Sequence, residues 1–268
     1  MAGARRLGGG TARRVTAWTI GLLPLIVAHR GASADAPENT LRAFREAERQ
    51  GARAIEFDVR LARCGTPVVL HDATLRRTTS GGGRVLAHDA ATLTALDAGR
   101  WFASDFAGEP VPTLAAVLRW AERVAMACNV ELKAENDAMA RATARAAAPL
   151  IQAAGSVVLV SSFVPAALAE MRGLGNTPLG VLVERRILDR HLDFARDIGA
   201  VSLHADRRAF GPRSRVRLDR AGSWPVAYTV NDVREAFRLH HELGVESLIT
   251  DRPGQLLDAF GEHRREAR

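Results

Sequence analysis

Seven residues with chemical potential stand at or near the ends of short apolar runs. His29 and Arg30 follow Ile26-Val27-Ala28, and Glu56 and Asp58 lie within the run 55–59. His71 follows Pro67-Val68-Val69-Leu70, and Glu131 and Lys133 alternate with Val130 and Leu132. Glu56 and Asp58 are two apart on an extended segment, so their side chains share one side of the strand. Two carboxylates brought together repel and desolvate badly unless a cation joins them. For an isolated Glu-x-Asp that cation would be arginine, which is plentiful here. Glu131, itself two residues from Lys133, adds a third acid and changes the balance. Three converging carboxylates make an all-oxygen site suited to Mg²⁺ or Ca²⁺, with Mn²⁺ also compatible. Zinc would want histidine and cysteine at spacings this chain lacks.

His29 and His71, aimed at one such mouth, suit general acid–base chemistry because imidazole titrates near neutrality. Arg30 and Lys133 supply positive charge for an anionic substrate, guanidinium as a two-toothed fork and ammonium as a point charge. Of the 37 lysines and arginines only Lys133 is a lysine, which singles that position out. Metal, two bases and two cations together describe phosphoryl transfer rather than hydride transfer or sugar isomerisation. His88, His191, His204, His240, His241 and His263 read as surface or satisfied core residues.

Apolar runs at 25–31, 54–60, 129–133, 157–161, 179–184, 201–204, 225–230 and 247–251 read as strands. Segments of helical period separate them, at 40–50, 113–123, 138–153, 165–174, 188–198 and 233–243. Eight strands alternating with helices predict a closed (β/α)8 TIM barrel, and 268 residues is an ordinary length for one. Asn39 or Thr40 would cap the first helix, with Gly51 just beyond its end.

The run 67–71 follows the second strand after only six residues, 61–66. A parallel crossover needs about a dozen residues, so these two runs must form an antiparallel hairpin. Centring the turn on Cys64-Gly65 pairs Asp58 with His71 and folds that histidine back beside the carboxylates. Residues 73–112 lack clear strands and read as an insertion that caps the active-site face. The barrel is expected over 23–260, with a charged tail over 261–268.

Composition excludes several classes. The net charge is +7, but Arg5, Arg6, Arg13 and Arg14 carry four of those charges, so the body is no basic binding module. Aromatic content of 5% offers no stacking stripe, so nucleic acid is not the expected partner. Residues 1–22 read as a disordered basic extension, not a signal peptide, because their apolar half runs directly into the first strand. No run reaches the ~18 apolar residues that span a bilayer. Two cysteines, Cys64 and Cys128, make no disulfide framework, so a reducing, cytoplasmic setting is expected.

Taken together, His29-Arg30-Gly31, Pro37-Glu38-Asn39-Thr40, Glu56-Phe57-Asp58-Val59, Pro67 to His71-Asp72, Arg77-Thr78-Thr79, Glu131-Leu132-Lys133, Ser161-Ser162-Phe163 and Thr250-Asp251-Arg252-Pro253 resemble the glycerophosphodiester phosphodiesterase family. The resemblance runs in order from about Ile26 to Pro253. It implies a (β/α)8 barrel with a small insertion after the hairpin, and hydrolysis of glycerophosphodiesters to sn-glycerol 3-phosphate and an alcohol. By motif, Glu56, Asp58 and Glu131 would hold the divalent cation, His29 and His71 would be the acid–base pair, and Arg30 and Lys133 would bind phosphate. The glycerol 2-hydroxyl would act as internal nucleophile, giving a cyclic phosphate that water opens.

The chain departs from the family pattern twice. Arg63-Cys64-Gly65 replaces the usual threonine and Asp-Gly turn, which sets Cys64 near the site as a turn residue. Tyr228-Thr229-Val230-Asn231 replaces Trp-Thr-Val-Asn, which bears on how the alcohol group is held. Two other readings compete. A lysophospholipase D would need an apolar groove at the mouth, for which Trp101, Phe102 and Phe106 are the candidates. A catalytically idle barrel would only bind a phosphodiester or a partner, yet no proposed ligand or histidine is missing.

Overall fold

The computed structural model describes residues 23–266, so the basic extension lies outside the described residues. The strands are β1 (Ile26–His29), β2 (Ala54–Leu61), β3 (Pro67–Val69), β4 (Ala127–Leu132), β5 (Val158–Ser162), β6 (Leu179–Val183), β7 (Ser202–Asp206), β8 (Trp224–Tyr228) and β9 (Ser247–Thr250). The helices are α1 (Leu41–Arg49), α2 (Ala90–Thr94), α3 (Leu114–Arg123), α4 (Asp137–Ala153), α5 (Pro165–Leu174), α6 (Asp189–Asp197), α7 (Pro212–Ala221), α8 (Val233–Phe237) and α9 (Pro253–Glu266). The parallel strands run β1-β9-β8-β7-β6-β5-β4-β2, and β1 also pairs with β2, which closes the eight-stranded barrel. β3 adds to β2 antiparallel, outside the closed ring.

Strand alternation divides the barrel chemically. On β2, Ile55, Phe57 and Val59 face outward into the helix layer, where Phe57 meets Phe44 of α1 at 5.5 Å between ring centroids. Phe44 in turn stacks at 6.0 Å on Trp120 of α3. The other face of each strand points inward. Val27, Ala54, Val226 and Ile249 pack with Leu23 as an apolar floor. One step of two residues further along the same strands come His29, Glu56, Tyr228 and Asp251. The period of two carries each inward row from apolar plug to polar mouth.

α1 begins where capping chemistry places it: the Thr40 hydroxyl accepts the Ala43 N–H at 3.2 Å. Gly51 follows with φ +90°, a left-handed conformation that glycine adopts without penalty. α7 lacks a counterpart in the sequence reading because its apolar stripe is thin; only Ser214 and Leu218 are buried along it. α9 continues through Glu266, so helix occupies most of the segment expected to be tail.

The hairpin forms, with its register shifted by one residue from expectation. Val59 opposes Val69, and the Leu70 N–H donates to the Asp58 carbonyl, so Asp58 lies opposite Leu70 rather than His71. The cause is the turn. Three residues, Arg63-Cys64-Gly65, connect Ala62 to Thr66, and Gly65 takes φ +80°. The turn is centred on Cys64, and Cys64 sits exposed at its tip, away from the mouth.

The segment 73–112 carries only α2 and short 3-10 turns. It builds a satellite core, with Leu75, Val85, Leu93, Ala98 and Val111 packed on Val68 and Leu70 of the hairpin. Trp101, Phe102 and Phe106 pack edge to face on one another at 5.7 and 5.4 Å, and Arg42 covers the Phe106 ring.

Candidate active site

A cavity of about 210 Å³ opens at the C-terminal end of the barrel, lined by residues that include His29, Arg30, Glu56, His71, Asn129, Glu131 and Lys133. Asp58 lies beneath it, and Glu56, Asp58 and Glu131 each present a carboxylate oxygen within 4.8 Å of the others. The parallel pairing of β2 with β4 sets this up directly, since Asp58 and Glu131 are register partners. All three acids are buried. All seven residues singled out from the sequence therefore meet in one place.

Two cations answer the three acids. Lys133 Nζ lies 3.1 Å from Asp58 Oδ1 and 2.5 Å from Glu131 Oε1. Arg30 Nε lies 3.2 Å from Asp58 Oδ2, while its Nη1 donates to Glu38 at 2.8 Å. Asn39 donates to Asp58 Oδ2 at 2.8 Å and accepts the Asp58 N–H at 3.2 Å. Burial pushes the Asp58 carboxyl up, but Lys133 and Arg30 outweigh it and hold the group ionised, well below the usual range. Burial, with Asp58 and Glu131 alongside, drives Glu56 well above it. Burial and then Asp58 push Glu131 up to about 7, against the pull of Lys133. Glu56 Oε1 is buried and makes no hydrogen bond among the described residues. An orphaned carboxylate oxygen within a three-acid cluster is what a bound divalent cation would satisfy, so the residues present fit such an ion.

The two histidines are held alike. His29 Nδ1–H donates to Asp251 Oδ1 at 2.6 Å, and His71 Nδ1–H donates to Asp72 Oδ1 at 2.6 Å. Each imidazole thereby keeps Nε2 free; that of His29 lies 3.9 Å from Glu56 Oε2. Asp251 is fixed in turn by Ser33 at 2.9 Å and Asn231 at 2.6 Å. Asp72 receives Arg77, which also grips Glu38, so one ionic chain ties His71 to Arg30. The His71 carbonyl accepts from Arg60 Nε at 2.7 Å, which fixes the backbone past the end of β3. Burial lowers the His71 imidazole below its ordinary value, against the pull of Asp58.

Asp251, Asn231, Ser33, Glu38, Asp72 and Arg77 are supporting residues to which the sequence reading gave no role, and Asn39 is one to which it gave only a capping role. A signal existed for Asp251. In a closed barrel the first and last strands pair, and Ala28 opposes Thr250, so the next residues along, His29 and Asp251, are neighbours.

Three expectations are revised. No residue of 73–112 lines the cavity, Trp101, Phe102 and Phe106 included; the insertion instead braces its surroundings, through Arg77 on Glu38 and Asp72 and through Ala73, Val85 and Leu86 beside Lys133. The Tyr228 ring lines the cavity, but its hydroxyl donates to the Val183 carbonyl at 2.6 Å and is not offered to a ligand. Cys64 does not line the cavity; its thiol lies 3.3 Å from the Thr66 hydroxyl at the hairpin tip.

Comparison with known proteins gives a consistent picture. Residues 29–255 match the model of the "Glycerophosphoryl diester phosphodiesterase family". A provisionally named glycerophosphodiester phosphodiesterase of Bacillus subtilis, YhdW, is 32% identical over 238 residues, spanning 85% of this chain and 94% of that protein. A glycerophosphodiester phosphodiesterase of Caldanaerobacter subterraneus is 44% identical over 109 residues, a stretch covering 41% of this chain and 45% of that one. An Oleispira antarctica phosphodiesterase, solved in complex with the product sn-glycerol-3-phosphate, superposes with a TM-score of 0.86 at 30% identity. That match covers 91% of this chain and 99% of the other.

Proposed function

The chain belongs to the glycerophosphodiester phosphodiesterase family, a family of hydrolases, and from that premise we propose a metal-dependent reaction run by two histidines. Its substrates are glycerophosphodiesters and its products sn-glycerol 3-phosphate and an alcohol. Glu56, Asp58 and Glu131 hold one divalent cation, Mg²⁺ or Ca²⁺, with Mn²⁺ also compatible. When bound, that ion supplies positive charge to the phosphate oxygens. The carrying observation is the pair of His–Asp contacts flanking the acid cluster, since each leaves one imidazole Nε2 to exchange a proton at the cavity.

Arg30 and Lys133 line the cavity and bind the phosphate, the arginine as a fork and the lysine as a point charge. The glycerol 2-hydroxyl attacks phosphorus. One histidine takes its proton while the other protonates the departing alkoxide, and water opens the resulting cyclic phosphate by the same pair in exchanged roles. Asp251 and Asp72 hold each ring in the tautomer with its proton on Nδ1.

The reading includes a cytoplasmic location, which the two free thiols, Cys64 and Cys128, favour. No helix among the described residues is long and apolar enough to cross a membrane. The experiment is incubation with glycerophosphoglycerol under EDTA, then with Mg²⁺, Ca²⁺ or Mn²⁺ restored, with sn-glycerol 3-phosphate measured by a coupled dehydrogenase. Cation-dependent release supports the reading. Release that survives EDTA removes the metal from it.

A further inference from the structure

The substrate of the proposed reaction has two ester arms, and the 210 Å³ cavity is small for both. A second cavity of about 700 Å³ adjoins it at the same end of the barrel, and the two share Phe163 and Leu182 as lining. Phe163 is the partition. Lys133 Nζ sits 5.6 Å from its ring centroid, and the Tyr228 ring closes on it at 6.0 Å. A phosphate drawn to Lys133 therefore has this ring at its side and the larger cavity beyond.

Side chains of the β6–α6 connection and of the first turn of α6 give that larger cavity its charge. Arg185, Arg186 and Arg190 line it, against one carboxylate, Glu184. None of the three guanidiniums makes an ion pair among the described residues. Asp189, the acid next to Arg190 in sequence, is turned to Arg217 instead. His191 also lines the cavity, but its Nδ1 accepts the Leu188 N–H, and burial favours its uncharged form. The walls below are apolar, with Val181, Val183 and Phe194 prominent. The rim is thus a surplus of unpaired guanidinium charge in the path of one ester arm.

Building on the phosphodiesterase reading, we propose that this second cavity is the subsite for the departing alcohol and that Arg185, Arg186 and Arg190 select alcohols carrying their own negative charge, such as a phosphorylated polyol. Guanidinium forks pair with phosphate in two-toothed fashion, whereas a quaternary ammonium such as choline meets like charge there. Exposed pairs of this kind are screened by salt, so the selection is electrostatic and depends on ionic strength.

The test uses the native protein with its divalent cation and three diesters of glycerol phosphate: inositol 4-phosphate, glycerol and choline as the alcohol. The native protein is expected to favour the inositol phosphate diester over the choline diester in kcat/KM by at least roughly tenfold at low salt. Raising ionic strength should shrink that ratio. In Arg185→Gln/Arg186→Gln/Arg190→Gln the ratio should fall toward one, chiefly through KM. The salt series needs no variant and holds even if the triple variant folds poorly. A ratio near or below one in the native protein, or a ratio that survives the triple substitution, overturns the subsite while leaving the phosphodiesterase reading intact. Absence of sn-glycerol 3-phosphate from all three diesters with every cation overturns both.

Discussion

His29 Nδ1 and Asp251 Oδ1 lie 2.6 Å apart although 222 residues separate them in the chain. The contact exists because the last strand closes on the first, with β9 alongside β1. Ser33 and Asn231 hold Asp251 in turn, and these contacts with His29 keep its carboxyl well below the ordinary range against the cost of burial. Barrel closure thus orients one of the two histidines proposed for proton transfer. Asp251→Asn keeps the shape and removes the charge that fixes the ring. The expected result is a loss of roughly 10²-fold or more in kcat with KM nearly unchanged, checked by steady-state kinetics on glycerophosphoglycerol.

The acid cluster makes a prediction about cation binding and pH. Glu131 is pushed up to about 7 in the metal-free protein. Its native carboxyl therefore holds a proton that the unfolded chain has released above an ordinary value of 4.5, and the native state loses stability as pH rises through that window. A cation competes with that proton. Stabilisation by Mg²⁺ or Ca²⁺, read as a shift in Tm, should therefore be larger at pH 8 than at pH 6. In Glu131→Gln the pH dependence should flatten and the cation affinity fall at least roughly tenfold, measured by calorimetric titration.

His204 carries a separate pH dependence. It is fully buried in the barrel, its Nε2 2.9 Å from the Ser202 hydroxyl, and burial lowers its imidazole from 6.5 to about 3. Between those values the unfolded chain binds a proton that the native chain refuses, so stability is lost as pH falls through that window. The slope is ~1.4 kcal/mol per pH unit for one proton. Urea unfolding at a series of pH values should show a gentler decline for His204→Gln by about that amount. Equal slopes would remove His204 from the acid response.

The outer layer depends on Phe44, which is fully buried between the Phe57 and Trp120 rings. Phe44→Ala should cost ~3–5 kcal/mol in urea unfolding, because the flanking rings belong to strand and helix and collapse poorly into the space left. A cost below ~1 kcal/mol would mean that α1 is not docked through this side chain.

Much of the site was legible in the sequence because its logic is local. Glu56 and Asp58 share a face by the period of two, and the six-residue gap after β2 forces the hairpin that returns His71. What escaped depends on closure or on fine turn geometry. The one-residue shift between Asp58 and His71 follows from Gly65 adopting φ +80° in a three-residue turn. Asp251 could be matched to His29 only by pairing the first strand with the last. Asn39 and Thr40 both read as candidate helix caps; Thr40 takes that task, and Asn39 clasps Asp58 instead. α7 escaped because two buried residues make too thin a stripe to register as amphipathic.

The central claim is that two histidines and a carboxylate-held cation together cleave a glycerophosphodiester. Its most direct test is ³¹P NMR of glycerophosphoglycerol turnover by the native protein, His29→Asn and His71→Asn, each with and without added Mg²⁺ or Ca²⁺. The account predicts sn-glycerol 3-phosphate from the native protein only with the cation, and at least roughly 10²-fold less from either variant. Undiminished turnover by both histidine variants, or none by the cation-loaded native protein, would contradict it.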